Sequence, residues 1–154
     1  MCEAAALAAA AAHACARWPL EACGLAVRAA AGVRFVPVVN VSPDPRTSFA
    51  FAPAEQLALW RAEAAGHLAI VAIVHSHCDA DASFSERDRR DATTADGHPL
   101  YPGVEHWVLS IRGPGPRLDE AVAWTWRPGG WTGRALAPTP VAGCPSCVGV
   151  KNRL

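Results

Sequence analysis

The sequence lacks an excess of charge of either sign: 14 Lys and Arg balance 14 Asp and Glu over 154 residues. A neutral chain offers no electrostatic ground for binding nucleic acid or an anionic membrane, so any partner must be recognised by shape and local chemistry. No apolar run approaches the ~20 residues that span a bilayer. The stretch Ala4–Ala12 lacks the basic lead-in of a secretory leader and is built of alanine rather than leucine, and Glu3 precedes it. It reads as the first helix of a soluble protein, and the expected location is the cytoplasm. The six cysteines are then thiols or metal ligands rather than a disulfide frame. Cys15 and Cys23, set among apolar neighbours, are expected to be buried and inert. There is no internal repeat.

What is present is one domain's worth of alternating elements. Residues 3–17 are alanine-rich and stop before Trp18-Pro19, which predicts a helix. Cys23–Arg28 and Val33–Asn40 read as a strand pair around a small turn. Ser42-Pro43-Asp44-Pro45 is a loop, and Ser48–Phe51 a short strand. Leu57, Trp60 and Ala64 recur at helical spacing within Pro53–Ala65, which Gly66 ends. His67–Val74 is a continuous apolar run, the pattern of a central strand covered on both faces. Ser85–Ala95 is charged and predicts a helix. Glu105–Arg112, Glu120–Arg127 and Trp131–Leu136 predict further strands. The layout implies an α/β fold, a central mixed β-sheet flanked by helices. The domain is expected to occupy residues 1–136, with a poorly ordered tail over 137–154, where proline, glycine and small residues dominate.

The chemistry concentrates at Val74-His75-Ser76-His77 and at Ser85 and Asp88 beyond it. Residues two apart on an extended segment point the same way, so His75 and His77 present both imidazoles on one side, at the end of the buried strand. The intervening loop is long enough to bring a helix start back to them, with Asp88 one turn in. Two imidazoles and a carboxylate leave the fourth tetrahedral position open, the pattern of a catalytic zinc site. Ser85 and Asp88 also fit an N-cap and its N3 partner. The two readings are compatible.

Glu21-Ala-Cys-Gly24, then His75-Ser-His77, then seven residues, then Ser85-x-x-Asp88 resembles the JAMM (JAB/MPN) metalloprotease family. That family's motif is a distant glutamate followed by His-Ser/Thr-His-Pro-x6-Ser-x2-Asp. The likeness runs over roughly residues 13–127. It includes the loop from Asn40 to Phe49 and the Phe-x-x-x-Pro-x-Glu start of the middle helix. It implies a cytidine-deaminase-like sheet, Zn²⁺ on His75, His77 and Asp88, Glu21 as the group that moves the proton, and Ser85 as a donor to the oxyanion. Glu21 takes its role from the resemblance alone.

The chain departs from the motif at Cys78, where the family has proline. Cysteine would loosen the loop and add a soft ligand; the plainer expectation is a neutral replacement. Cys144-Pro-Ser-Cys147 supplies only two potential ligands and reads as part of the tail. His13, His67, His98 and His106 lack partner spacing and read as structural or surface residues. Trp107, Trp124 and Trp126 read as core or sheet-face residues, the last two on one face.

The resemblance implies hydrolysis of a peptide or isopeptide bond at the C-terminal tail of a ubiquitin-like or sulfur-carrier protein. The loop His98-Pro-Leu-Tyr-Pro-Gly103 is similar to that of the sulfur-carrier-associated members. A non-catalytic MPN-type binding scaffold and a phage-tail or cell-wall peptidase are the alternatives. The oligomeric state is not readable.

Overall fold

The computed structural model describes residues 3–137. Alanine's helix propensity builds α1 (Glu3–Arg17), and its buried stripe of Ala6, Leu7, Ala10 and Ala14 follows the helical period. That stripe packs on one face of a sheet lined by Ala22, Ala26, Ala72, Val74, Trp107 and Leu109. Burying a residue such as Leu7 contributes about 1.5–3 kcal/mol, and the surrounding alanines let helix and sheet approach closely.

Among the described residues the sheet has six strands: β1 (Cys23–Ala29), β2 (Gly32–Val38), β3 (Ala69–Cys78), β4 (Glu105–Arg112), β5 (Arg117–Arg127) and β6 (Gly130–Ala135), in the order β2-β1-β3-β4-β5-β6. Only β3 and β4 are parallel; the other pairs are antiparallel. The sheet is therefore mixed, as expected, and β3 is central. Two more helices, α2 (Pro53–Ala64) and α3 (Glu86–Ala92), complete the described architecture. Leu59 and Trp60 of α2 pack over Leu25, Val27, Ile70 and Ile73. The third cluster places Phe84 and Ala92 against Val108 and Trp124.

Two local features set the register. Between the pairs Ala26–Ala72 and Val27–Ile70, β3 carries one extra residue, Val71. This bulge lets Ile70 and Ile73, three apart, share a face before the regular alternation carries on to His75 and His77. Gly24 has no room for a side chain: a Cβ there would collide with the Val36 carbonyl and the Phe35 ring.

β3 continues four residues past the expected end at Val74. His75, Ser76, His77 and Cys78 pair with Val108 to Ile111 of β4, so backbone bonding holds the polar segment extended. The short strand expected at Ser48–Phe51 is a single bridge between Asn40 and Phe51. α3 stops at Ala92 rather than Ala95, because Thr93 turns away to bridge Pro99. Among the described residues no helix is long and apolar enough to cross a membrane. The expected tail, with Cys144 and Cys147, lies outside the described residues except for Ala137.

Candidate metal centre and active site

The end of β3 and the start of α3 converge. His75 Nε2 lies 3.3 Å from Asp88 Oδ1, and His77 Nε2 lies 3.4 Å from Asp88 Oδ2. The two Nε2 atoms are 3.2 Å apart. Four ligands at zinc's usual ~2.0–2.1 Å in a tetrahedron sit about 3.3–3.4 Å from one another. Each nitrogen meets a different oxygen of the Asp88 carboxylate, so the two imidazoles and the carboxylate bracket a space of that size, and their nitrogen and oxygen chemistry suits zinc. Cys78 is not part of this cluster.

Hydrogen bonds hold His77 and Asp88 from behind, whereas the buried His75 Nδ1 has no hydrogen-bond partner among the described residues and its ring is held by packing. His77 Nδ1 contacts the Asp81 carbonyl at 2.7 Å, which fixes its proton on Nδ1 and leaves Nε2 for a metal. The His75 ring is 1% exposed and stacks on Phe49, centroids 4.6 Å apart. Asp88 is the N3 residue of a capping box: Ser85 N and Oγ donate to Asp88 Oδ2 at 2.8 and 2.7 Å, and Asp88 N donates to Ser85 Oγ at 3.1 Å. The expected N-cap pair is therefore present, and the same bonds that start α3 aim its carboxylate at the histidines.

Burial sets the charge states in different directions. It pushes the His75 imidazole below its usual range, against the pull of Asp88. At His77 burial acts in the same sense, but hydrogen bonds to Asp88 and the Asp81 carbonyl outweigh it and raise the group. Burial would raise Asp88, yet donors from His75, His77 and Ser85 hold its carboxyl well below the usual range.

Glu21 is 6% exposed. Ala22 N donates to Ser76 Oγ at 2.8 Å, and Ser76 N to the Ala22 carbonyl at 2.9 Å. With Cys23 opposite His75, the same register brings Glu21 alongside His77. Burial pushes the Glu21 carboxyl up to about 7, with His77 opposing and Asp88 adding to the rise. Its backbone is fixed by the 40–48 loop: Glu21 N donates to the Pro45 carbonyl at 2.7 Å, and Asn40 Nδ2 donates to the Glu21 carbonyl at 2.9 Å. Asn40 spends its whole amide this way. Nδ2 also donates to the Ser48 carbonyl at 3.0 Å, and Oδ1 accepts from Ser42 N and Ala50 N at 2.9 and 3.1 Å.

His75, His77, Asp88 and Ser85 therefore come together, and Glu21 lies within electrostatic reach of His77 and Asp88. Residues that spacing did not reveal join them. His106, expected to be ordinary, pairs with Ile73 across β3–β4 and faces the site side. Burial lowers it to about 4, and Phe84 and Trp131 pack against its ring at 5.1 and 5.2 Å. Phe49 and Asn40 sit in the loop that the motif comparison included but assigned no role. Cys23 is buried as expected; burial first, then Glu21 and Glu55, push its thiol up to about 12. Cys15 is only partly buried, against the core under α1. Cys78 does not loosen the loop. It remains in β3, and the turn beyond is pinned by Asp79 N to the Ile111 carbonyl at 2.8 Å, Ser110 Oγ to the Ala80 carbonyl at 2.7 Å and Trp124 Nε1 to the Ala82 carbonyl at 3.0 Å.

Comparison with known proteins agrees with this geometry. Residues 3–126 match the family described as prokaryotic homologs of the JAB domain. The tail tip assembly protein K of Escherichia phage N15 is 36% identical over 111 residues, covering 70% of this chain. The chain spans only 44% of that protein's length. A solution structure of a protein from Desulfitobacterium hafniense superposes with a TM-score of 0.54 at 23% identity, over 87% of this chain and 90% of that one. One from Salinibacter ruber gives 0.50 at 23% identity, over 84% and 85%. Both share the fold. With the histidine pair at the end of β3 meeting the aspartate of α3, and a family match over most of its length, the chain belongs to the prokaryotic homologs of the JAB domain.

Proposed function

We propose that the chain is a JAMM-type zinc metallopeptidase that hydrolyses a peptide or isopeptide bond at the C-terminal tail of a ubiquitin-like or sulfur-carrier protein. The convergence of His75, His77 and Asp88, with Glu21 in electrostatic reach of His77 and Asp88, is the observation that carries the reading. His75, His77 and Asp88 would hold the ion. Bound there, zinc supplies the Lewis acidity that makes water a nucleophile near neutral pH. Glu21 takes the proton from the attacking water and passes it to the departing amine. A carboxyl raised to about 7 suits both steps. The Ser85 hydroxyl donates to the carbonyl oxygen as negative charge develops. Its hydrogen must first leave Asp88 Oδ2, which keeps the bond from Ser85 N.

The test is mass spectrometry of a sulfur-carrier protein bearing a short extension after Gly-Gly, incubated with the zinc-loaded chain. Removal of the extension by the parent and not by Glu21→Gln is expected. An intact tail with zinc stoichiometrically bound argues for a non-catalytic scaffold instead.

A second reading, a phage-tail or cell-wall peptidase, draws support from the 36% identity to the tail tip assembly protein. Peptides released from cell-wall fragments, with the carrier tail left whole, would favour it.

A further inference from the structure

Beside the metal ligands a cavity of about 190 Å³ opens between α2, α3 and the 99–103 loop. Its wall is a run of rings. Phe49, stacked on His75, meets Phe51 at 5.5 Å, and Trp60 meets Tyr101 edge-on at 5.4 Å. Ile73, on the same face of β3 two residues before His75, lines it as well. His75 and Asp88 border the cavity, whereas Glu21 does not. A dry apolar cavity of roughly 150 Å³ accepts benzene, so this volume suits one aromatic ring and its methylene. Besides His75 and Asp88, the polar residues Ser48, Gln56, Arg87, Asp91 and His106 also border it, so the cavity pairs an aromatic wall with a polar margin.

We propose that this cavity is a side-chain pocket of the substrate site, holding one aromatic residue beside the scissile bond. The inference rests on the hydrolase reading above. On a Gly-Gly tail the residue that enters is the one after the second glycine, because glycine has no side chain to place. The pocket thus selects the released segment, and a tail beginning with phenylalanine is cut in preference to one beginning with alanine. Losing most of a buried ring's contacts typically costs a factor of ten or more in specificity.

Two measurements test the pocket, one independent of turnover. In the first, the isotope-labelled full chain is titrated with N-acetylphenylalaninamide and, separately, with N-acetylglycinamide. Chemical-shift changes centred on Phe49, Trp60 and Tyr101 with the former, at least tenfold weaker with the latter, are expected. Gln56→Trp, which places bulk at the pocket wall from α2, should abolish them. Equal shifts for both amides, or shifts elsewhere, would overturn the proposal. In the second, carrier tails Gly-Gly-Phe and Gly-Gly-Ala are compared for kcat/KM. A preference of at least tenfold for Phe, lost in Gln56→Trp, is expected; equal cleavage overturns the pocket while leaving the hydrolase standing. Aromatic-amide binding at the pocket with neither tail cut supports the pocket as a site and removes the carrier-tail reading.

Discussion

Ser85 and Asp88 hold each other: the hydroxyl and amide of Ser85 both donate to one carboxylate oxygen, and the amide of Asp88 donates back to the hydroxyl. The helix cap and the aim of a metal ligand are therefore one structure. Ser85→Ala should lower stability by about 1 kcal/mol, as loss of an N-cap does. It should also weaken zinc binding by about 10–100-fold, as loss of a ligand's supporting bond does. Thermal melts and competition with a chromophoric chelator measure the two effects. Ser85→Thr should restore both.

Zinc should stabilise the chain. A ligand at a hundredfold excess over its Kd adds about 2.7 kcal/mol, and a domain of this size gains roughly 2–4 °C per kcal/mol. Melting in zinc against melting in chelator should show a Tm gap of about 5–10 °C. In Asp88→Asn the gap should close, and an undiminished gap would remove Asp88 from the ligand set.

The Glu21 carboxyl, pushed up to about 7 mainly by burial, binds its proton more tightly folded than unfolded. Its contribution is complete below about pH 4.5, declines as pH rises to about 7, and is flat beyond, a loss of up to about 3 kcal/mol. Glu21→Gln keeps a neutral group there. In chelator its Tm should match the parent's near pH 4 and exceed it at pH 8. Parallel melting curves across this range would contradict the burial of an ionising group.

Asn40 makes four hydrogen bonds that tie the Glu21 strand end to the loop carrying Phe49. Asn40→Ala should cost about 2–6 kcal/mol at about 0.5–1.5 per bond. It should reduce kcat while leaving zinc content unchanged. Asn40→Asp, although isosteric, should be no better, since it sets a carboxylate oxygen against the Glu21 and Ser48 carbonyls. Hydrolysis rate, metal analysis and melting separate these effects.

Much of this was legible in the sequence, for physical reasons. Alanine propensity and the Trp18-Pro19 stop give α1 its bounds, and the apolar runs give β1 and β4. The ligand set was legible because its members lie within fourteen residues of one another, where local periodicity governs which side chains meet. What was not legible depends on distant pairing. The apolar run ends at Val74, and the continuation of β3 through His75–Cys78 comes from hydrogen bonds to β4. The placement of His106 on the site side follows from the same parallel register. The bulge at Val71 breaks the alternation by which faces are assigned, and one residue of slippage is invisible in a run such as Leu-Ala-Ile-Val-Ala-Ile-Val. The short Ser48–Phe51 strand shrank to a bridge because the Asn40 side chain takes the partners a ladder would have used.

On the proposed mechanism the three metal ligands lie between residues 75 and 88, whereas Glu21, which would carry the proton, precedes β1 and is joined to β3 through the reciprocal Ala22–Ser76 contacts. Metal capture and turnover are consequently separable traits. A descendant that shifted or lost the Ala22 seam could go on loading zinc faithfully while ceasing to cut anything, and a full metal complement would then say nothing about whether its chemistry survives.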